Sequence, residues 1–249
     1  MRKPGSARSS GSLPQVIRLN HDSGPIDVKL KHNARARRLI LRLDSRTGEP
    51  VATCPPGVST LKIGQFLQAH VEWLVDKQQL RQPNVPFENG AIIPVRDIPH
   101  RLQHVGQRRG TVRLLEQRDE HVLMVSGEEQ HMRRRVTDWL KKEARIDLLE
   151  AVDRHAEAIG IKPSAVRIKD TTSRWGSCSS SRELAFSWRV IMAPPFVLDY
   201  LAAHEVAHLR EMNHSQRFWD HVEDLCPEFE EGRAWLRQHG RQLHTYGIE

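Results

Sequence analysis

At 249 residues, with 38% hydrophobic and 28% charged side chains, the chain is long enough for one or two full cores. It contains no run of 18 apolar residues, so no membrane span is expected, and the opening MRKPGSARSSGSLP has charge but lacks the apolar stretch of a secretory signal. The formal net charge of +7 raises nucleic-acid binding, yet residues 1–50 alone hold eleven Lys/Arg against four Asp/Glu, while residues 201–249 hold five against nine.

Residues 1–14 form a basic Gly/Ser tail expected to be disordered. A β-rich module over residues 15–128 follows. Alternating segments Val16–Leu19, Ile26–Leu30, Arg38–Leu43 and Pro50–Thr53 read as half-buried antiparallel strands. Arg35, Arg37, Arg38 and Arg42 could hold phosphate, but a solvated strand face explains them without a ligand, and nucleic acid is not the favoured partner. One helix is expected from Thr60 to Gln82, with Ile63, Phe66, Leu67, Val71, Trp73 and Leu74 as its apolar face. Strands then recur at Ile92–Val95, Arg101–Val105, Thr111–Leu115 and Val122–Val125.

A second part spans residues 129–249. A helix from His131 to Ile159 places Val136, Leu140, Ala144, Leu148 and Val152 on one stripe, and Gly160 ends it. Strands are expected at Ala165–Lys169 and Glu183–Val190, then a helix over residues 196–210 with Pro194-Pro195 at its start. Helices at Gln216–Leu225, with Phe218 and Trp219 inward, and around Arg233–Gln238 close the chain. Cys54, Cys178 and Cys226 are too few and too scattered for a disulfide framework or a Cys zinc pair, which suits the cytoplasm.

The chemistry is concentrated in His204-Glu205-Val206-Ala207-His208, with His214 beyond it. On a helix, His204 and His208 share a face and can bind one zinc ion, while Glu205 can serve as general base. A catalytic zinc takes three protein ligands and leaves one position to water. His214 is the expected third ligand, provided the helix stops at Asn213 in a left-handed turn and Ser215 caps the next helix; Glu223 is its competitor. The helix is apolar nearly all round, so it should be buried, and a buried His or Glu needs a partner or a metal.

Three motifs, Thr172-Ser173-Arg174-Trp175-Gly176-Ser177-Cys178, Ala193-Pro194-Pro195 and HEVAHLREMNHSQRFW, together resemble the YgjP-like metallopeptidase family, relatives of the SprT-like and WLM zinc peptidases. The resemblance covers about residues 16–245. It implies an α+β fold, a zincin-like catalytic part with a buried H-E-x-x-H helix behind an N-terminal β-rich module. It also implies one zinc per chain on His204, His208 and His214, Glu205 as the catalytic residue, and a peptide or protein substrate. The three-His spacing equals that of metzincins, but Glu211 stands where those have Gly and no Met follows Met212, so this is not a metzincin.

Two other functions compete. A nucleotide phosphohydrolase would use the Arg-rich first half, but many such enzymes use two metals. A nucleic-acid-binding protein with structural zinc would have no need of Glu205. Tyr200, His244 and Tyr246 are candidates for stabilising an oxyanion; Trp175 reads as a core anchor rather than a substrate platform and Cys178 as a small buried hydrophobe rather than a metal ligand, while Arg174 suits a structural ion pair as well as a substrate anion.

Overall fold

The computed structural model describes residues 14–22, 24–44, 47–79, 83–106, 110–117 and 120–248; all but the last residue of the expected tail lies outside the described residues. The chain packs as two units, Met1–Arg81 and Gln82–Glu249.

The first unit holds β1 (Val16–Leu19), β2 (Ile26–His32), β3 (Ile40–Leu43) and β4 (Pro50–Cys54), then α1 (Thr60–Gln68) and α2 (Val71–Gln79). In β2 the inward Ile26 and Val28 alternate with outward Asp27 and Lys29, the period-2 pattern of a half-buried strand. The strand order is β1-β2-β4-β3, with β2 and β4 parallel and the other pairs antiparallel. The all-antiparallel expectation is thus corrected, because in–out alternation is the same in both pairings. The single helix expected over Thr60–Gln82 is two. His70 Nδ1 binds the Phe66 carbonyl at 2.8 Å, in the place of the backbone N–H that would continue the helix, and the His70 N–H turns to Leu67 instead. Trp73 is 38% exposed rather than part of the buried face.

The second unit begins with β5 (Ile92–Val95), β6 (Ile98–Val105), β7 (Arg113–Gln117) and β8 (Glu120–Ser126). Their order, β5-β6-β8-β7, and their pair directions repeat those of the first sheet. The long α3 (Met132–Ile159) ends on Gly160 in the left-handed conformation, φ 67°. Ile93, Val95, Leu102, Leu123 and Val125 share one buried cluster with Val136, Leu140 and Leu148 of α3. Each such side chain contributes about 1.5–3 kcal/mol by leaving water. The boundary expected after residue 128 therefore falls inside a single core. Arg96 and Asp97, both at positive φ, form the two-residue turn between β5 and β6. The Arg96 guanidinium reaches Asp147 at 2.7 and 2.8 Å and Glu143 at 3.0 Å, tying the turn to α3.

The rest of the unit is β9 (Ala165–Lys169), β10 (Gly176–Cys178), β11 (Glu183–Ser187), α4 (Pro195–Ala207), α5 (Gln216–Leu225) and α6 (Phe229–His239). β11 is central in a three-stranded sheet and β10 is an edge. Beyond Ser187 the expected strand gives way to a 3-10 turn over Trp188–Met192.

One clamp holds α4 to α3. The Asp199 carboxylate accepts from His155 Nε2 at 2.8 Å and from Arg154. Burial works to raise the Asp199 pKa, but His155 and Arg154 together outweigh it and hold the carboxyl below its ordinary value of 3.8. A depressed carboxyl pKa gives stability that is present above the ordinary value and lost as pH falls through the folded-state one. Asp199→Asn should therefore cost about 1 kcal/mol at pH 7, a charge-assisted hydrogen bond discounted for solvent screening. Urea melts at stepped pH check it: the gap between wild type and variant should close below pH 3.8, and a gap that stays constant there refutes the clamp.

Candidate active site

α4 starts at Pro195, where the missing N–H costs nothing, and buries Val197, Leu201, Ala202, Val206 and Ala207. Glu205 and His208 are buried with them, at 4% and 8% exposure, and His204 is half-buried. The helix stops at Ala207, earlier than expected, with His208 as its cap at φ −64° and ψ −16°. Asn213 is not left-handed, since among the described residues only Arg96, Asp97 and Arg182 are non-Gly residues at positive φ. Its side-chain Oδ1 accepts instead from the Ser215 N–H at 2.9 Å, and that bond turns the chain. Ser215 does occupy the cap position of α5, but its side chain makes no cap hydrogen bond and its hydroxyl oxygen is buried without a partner.

This turn brings His214 back to the helix. Ligand nitrogens of His204, His208 and His214 lie within 4.8 Å of one another, and Nε2 of His204 stands 3.2 Å from Nε2 of His214. Glu223, on α5, is exposed and outside this group. His208 Nδ1 donates to the Glu211 carbonyl at 3.0 Å, which leaves its Nε2 a lone pair. Burial pushes the His204 pKa down to about 3, with the charges of His208, His214 and Arg233 adding to it, and burial also lowers His208. His204 Nδ1 is buried without a hydrogen-bond partner. Neutral imidazoles with free lone pairs are what a divalent metal takes. The 3.2 Å separation is close to the roughly 3.3 Å between two ligands of a zinc tetrahedron with bonds of about 2.05 Å. The donor set fits the ion.

Beside the imidazoles lies a cleft of about 370 Å³ containing His204, Glu205, Trp175 and Tyr200. A larger cavity of about 460 Å³ against α3 holds none of the three imidazoles, so size alone does not locate the chemistry here. Burial pushes the Glu205 carboxyl up to about 8 against the opposing Arg174 charge, and its Oε2 has no hydrogen-bond partner. Burial likewise raises Tyr200 to about 12, so its phenol keeps its proton. His244 instead stacks on Trp175, centroids 4.8 Å apart, and Tyr246 pairs with Val85; neither lines the cleft. Trp175 serves both readings, stacked on His244 and facing the cleft. Cys178 is half-buried, its thiol pushed up by burial and by Glu205.

Residues 37–239 match the family model of the YgjP-like metallopeptidase domain. The chain belongs to the YgjP-like metallopeptidase family. It is thus a metal-dependent peptidase of mixed α+β fold. Two metallopeptidase zymogens of solved structure, abylysin from Pyrococcus abyssi and jannalysin from Methanocaldococcus jannaschii, are each 21% identical to it. They cover 36% and 37% of this chain and 93% and 88% of their own, with TM-scores of 0.32 and 0.33, too low to carry an argument about its arrangement. No curated protein matches.

Two residues of this YgjP-like site, Gly176 and Gly232, and the role of a third, Phe218, escape a reading of the sequence. Gly176 on β10 faces Glu205 so closely that a Cβ there would stand 2.7 Å from Glu205 Cγ and Cδ. Phe218, fully buried, packs its ring 4.9, 4.4 and 4.7 Å from those of His204, His208 and His214. Gly232 on α6 lies against Tyr200 on α4, where a Cβ would come 2.6 Å from that of Tyr200. The two glycines act through an absent side chain. Phe218 was legible as inward-facing, and the signal for its role is its place four residues after His214 on the helix that His214 leads into.

Proposed function

We propose that His204, His208 and His214 hold one zinc ion and that Glu205 is the general base of peptide hydrolysis. The observation that supports this best is the convergence of three ring nitrogens within 4.8 Å beside a buried carboxylate with no other partner for its Oε2. When bound, zinc supplies Lewis acidity, lowering the pKa of water toward about 7 and polarising a carbonyl. Glu205 takes the proton of the attacking water at its carboxylate and passes it to the nitrogen of the leaving amine. Removal from bulk water makes that carboxylate a stronger base, in line with its upward shift to about 8. The Tyr200 phenol is the donor we assign to the developing oxyanion. β10 has one unpaired edge along which an extended substrate backbone can lie. The thiols of Cys54, Cys178 and Cys226 are free, which favours a reducing compartment, the cytoplasm in our reading. Among the described residues no helix is long and apolar enough to cross a membrane.

Turnover of casein and of nucleoside triphosphates, each with and without chelator, tests the reaction. Casein hydrolysis that chelator stops is expected, and triphosphate turnover alone would replace the peptidase by a phosphohydrolase. Metal analysis tests the ligands. The protein should carry about one zinc per chain at its three-residue site. His204→Ala/His208→Ala should lose it, and His214→Ala should weaken zinc binding at least about tenfold. Glu223→Ala should change nothing. Wild-type zinc content in the double variant sinks the site, and sensitivity at Glu223 in place of His214 moves the third ligand there.

A further inference from the structure

We infer that the cleft beside Glu205 selects peptides that carry a carboxylate, held by Arg233 and Arg237 of α6. This rests on the peptidase reading and adds to it the class of substrate.

The two arginines are four apart on one helix and so project from the same face, and both line the cleft that contains His204 and Glu205. Gly232 explains how they reach it. Its bare Cα lets α6 close onto Tyr200 of α4, and the next residue is Arg233. The Arg233 guanidinium carbon lies over the Trp219 ring, 4.6 Å from its centre, a cation–π contact that helps hold the side chain in place. Both arginines are exposed, and neither has an ion-pair partner among the described residues.

The charge balance within the cleft points the same way. Among the described residues the only carboxylate lining it is Glu205, against the two guanidinium groups of Arg233 and Arg237. Residues 201–249 are acidic overall, with nine Asp/Glu against five Lys/Arg, and yet both charged side chains that α6 sends into the cleft are arginines. Trp175, Leu201 and Leu236 line the same cleft with apolar surface, against which the rest of a bound peptide can pack. A planar carboxylate matches a guanidinium by two parallel hydrogen bonds. The carboxylate can belong to an Asp or Glu side chain or to a free chain end, since the chemistry is shared.

The test is binding to full-length, zinc-reconstituted Glu205→Gln protein, read by fluorescence anisotropy of labelled peptides. Three peptides of one length are compared: one amidated and containing Glu, one amidated with Gln in its place, and the Gln peptide with a free C-terminus. We expect one of the two carboxylate peptides to bind at least about tenfold tighter than the amidated Gln peptide. Which one gains identifies the source of the carboxylate. That ratio should fall to about one in Arg233→Gln/Arg237→Gln, and partway in Arg237→Gln, which leaves the Trp219 stack intact. Equal binding of all three peptides overturns the inference, as does a ratio that survives in the double variant. So does inorganic triphosphate displacing the peptide with a larger dependence on these arginines than any carboxylate shows. Because the readout is binding by a protein that does not turn over, a wild type that cleaves no peptide would defeat the peptidase reading and leave this result to stand or fall separately.

Discussion

Glu205→Gln is expected to slow peptide hydrolysis by about 10²–10⁴-fold, the usual share of a positioned general base. Zinc content and melting temperature should stay at wild-type values. The amide has the shape of the carboxylate but cannot take a proton, and the buried position needs no charge to be satisfied, since burial already pushes the group up to about 8. Single-turnover cleavage of a quenched-fluorescence peptide, alongside metal analysis of the same preparation, measures both quantities. Full activity in the Gln variant would remove Glu205 from the reaction, and loss of zinc would give it a part in holding the metal instead.

The second large effect is expected from the removal of empty space. In Gly176→Ala the new methyl group would occupy the place of the Glu205 side chain, with Cγ and Cδ only 2.7 Å away. The carboxylate must then turn aside, and a displacement of about 1 Å is enough to cost on the order of a hundredfold in rate. A purely structural role predicts something else: about 1–3 kcal/mol of overpacking strain and a lower melting temperature, with the surviving folded fraction fully active. A double-mutant cycle separates the two. If Gly176 acts through Glu205, then adding Glu205→Gln to Gly176→Ala should cost almost nothing more, whereas independent effects would multiply. Zinc content in Gly176→Ala should be unchanged.

Much of the site can be read along one helix and little of it across the fold. His204, Glu205 and His208 declare themselves because a helix turns their spacing directly into a shared face. His214 was a candidate for joining the other two imidazoles only if the helix broke before it. The break does occur, but at His208, and Asn213 reverses the chain through its side chain rather than through a left-handed backbone. Gly176 and Gly232 could not be found in this way, because each matters through a contact with a residue far along the chain. Burial patterns located the strands well and said nothing of their direction, so the parallel pairs β2–β4 and β6–β8 were missed. The same limit misplaced the boundary between the units. Alternation in Ile92–Val95 and Val122–Val125 shows that one face is buried, not which helix covers it, and here it is α3 that follows rather than the helices before. The prolines at 83 and 86 stood near the true division.

The way the imidazoles and Glu205 are held also sets the order in which the site matures. His204, His208 and His214 belong to one short stretch, so closing them on an ion takes a small loop and little chain entropy. Seating Glu205 against Gly176 requires β10 to be paired with β11 and α4 to be docked beside them, contacts between distant segments that form late. On the proposed assignment of ligands and base, a chain still completing its fold would capture metal before it could move a proton.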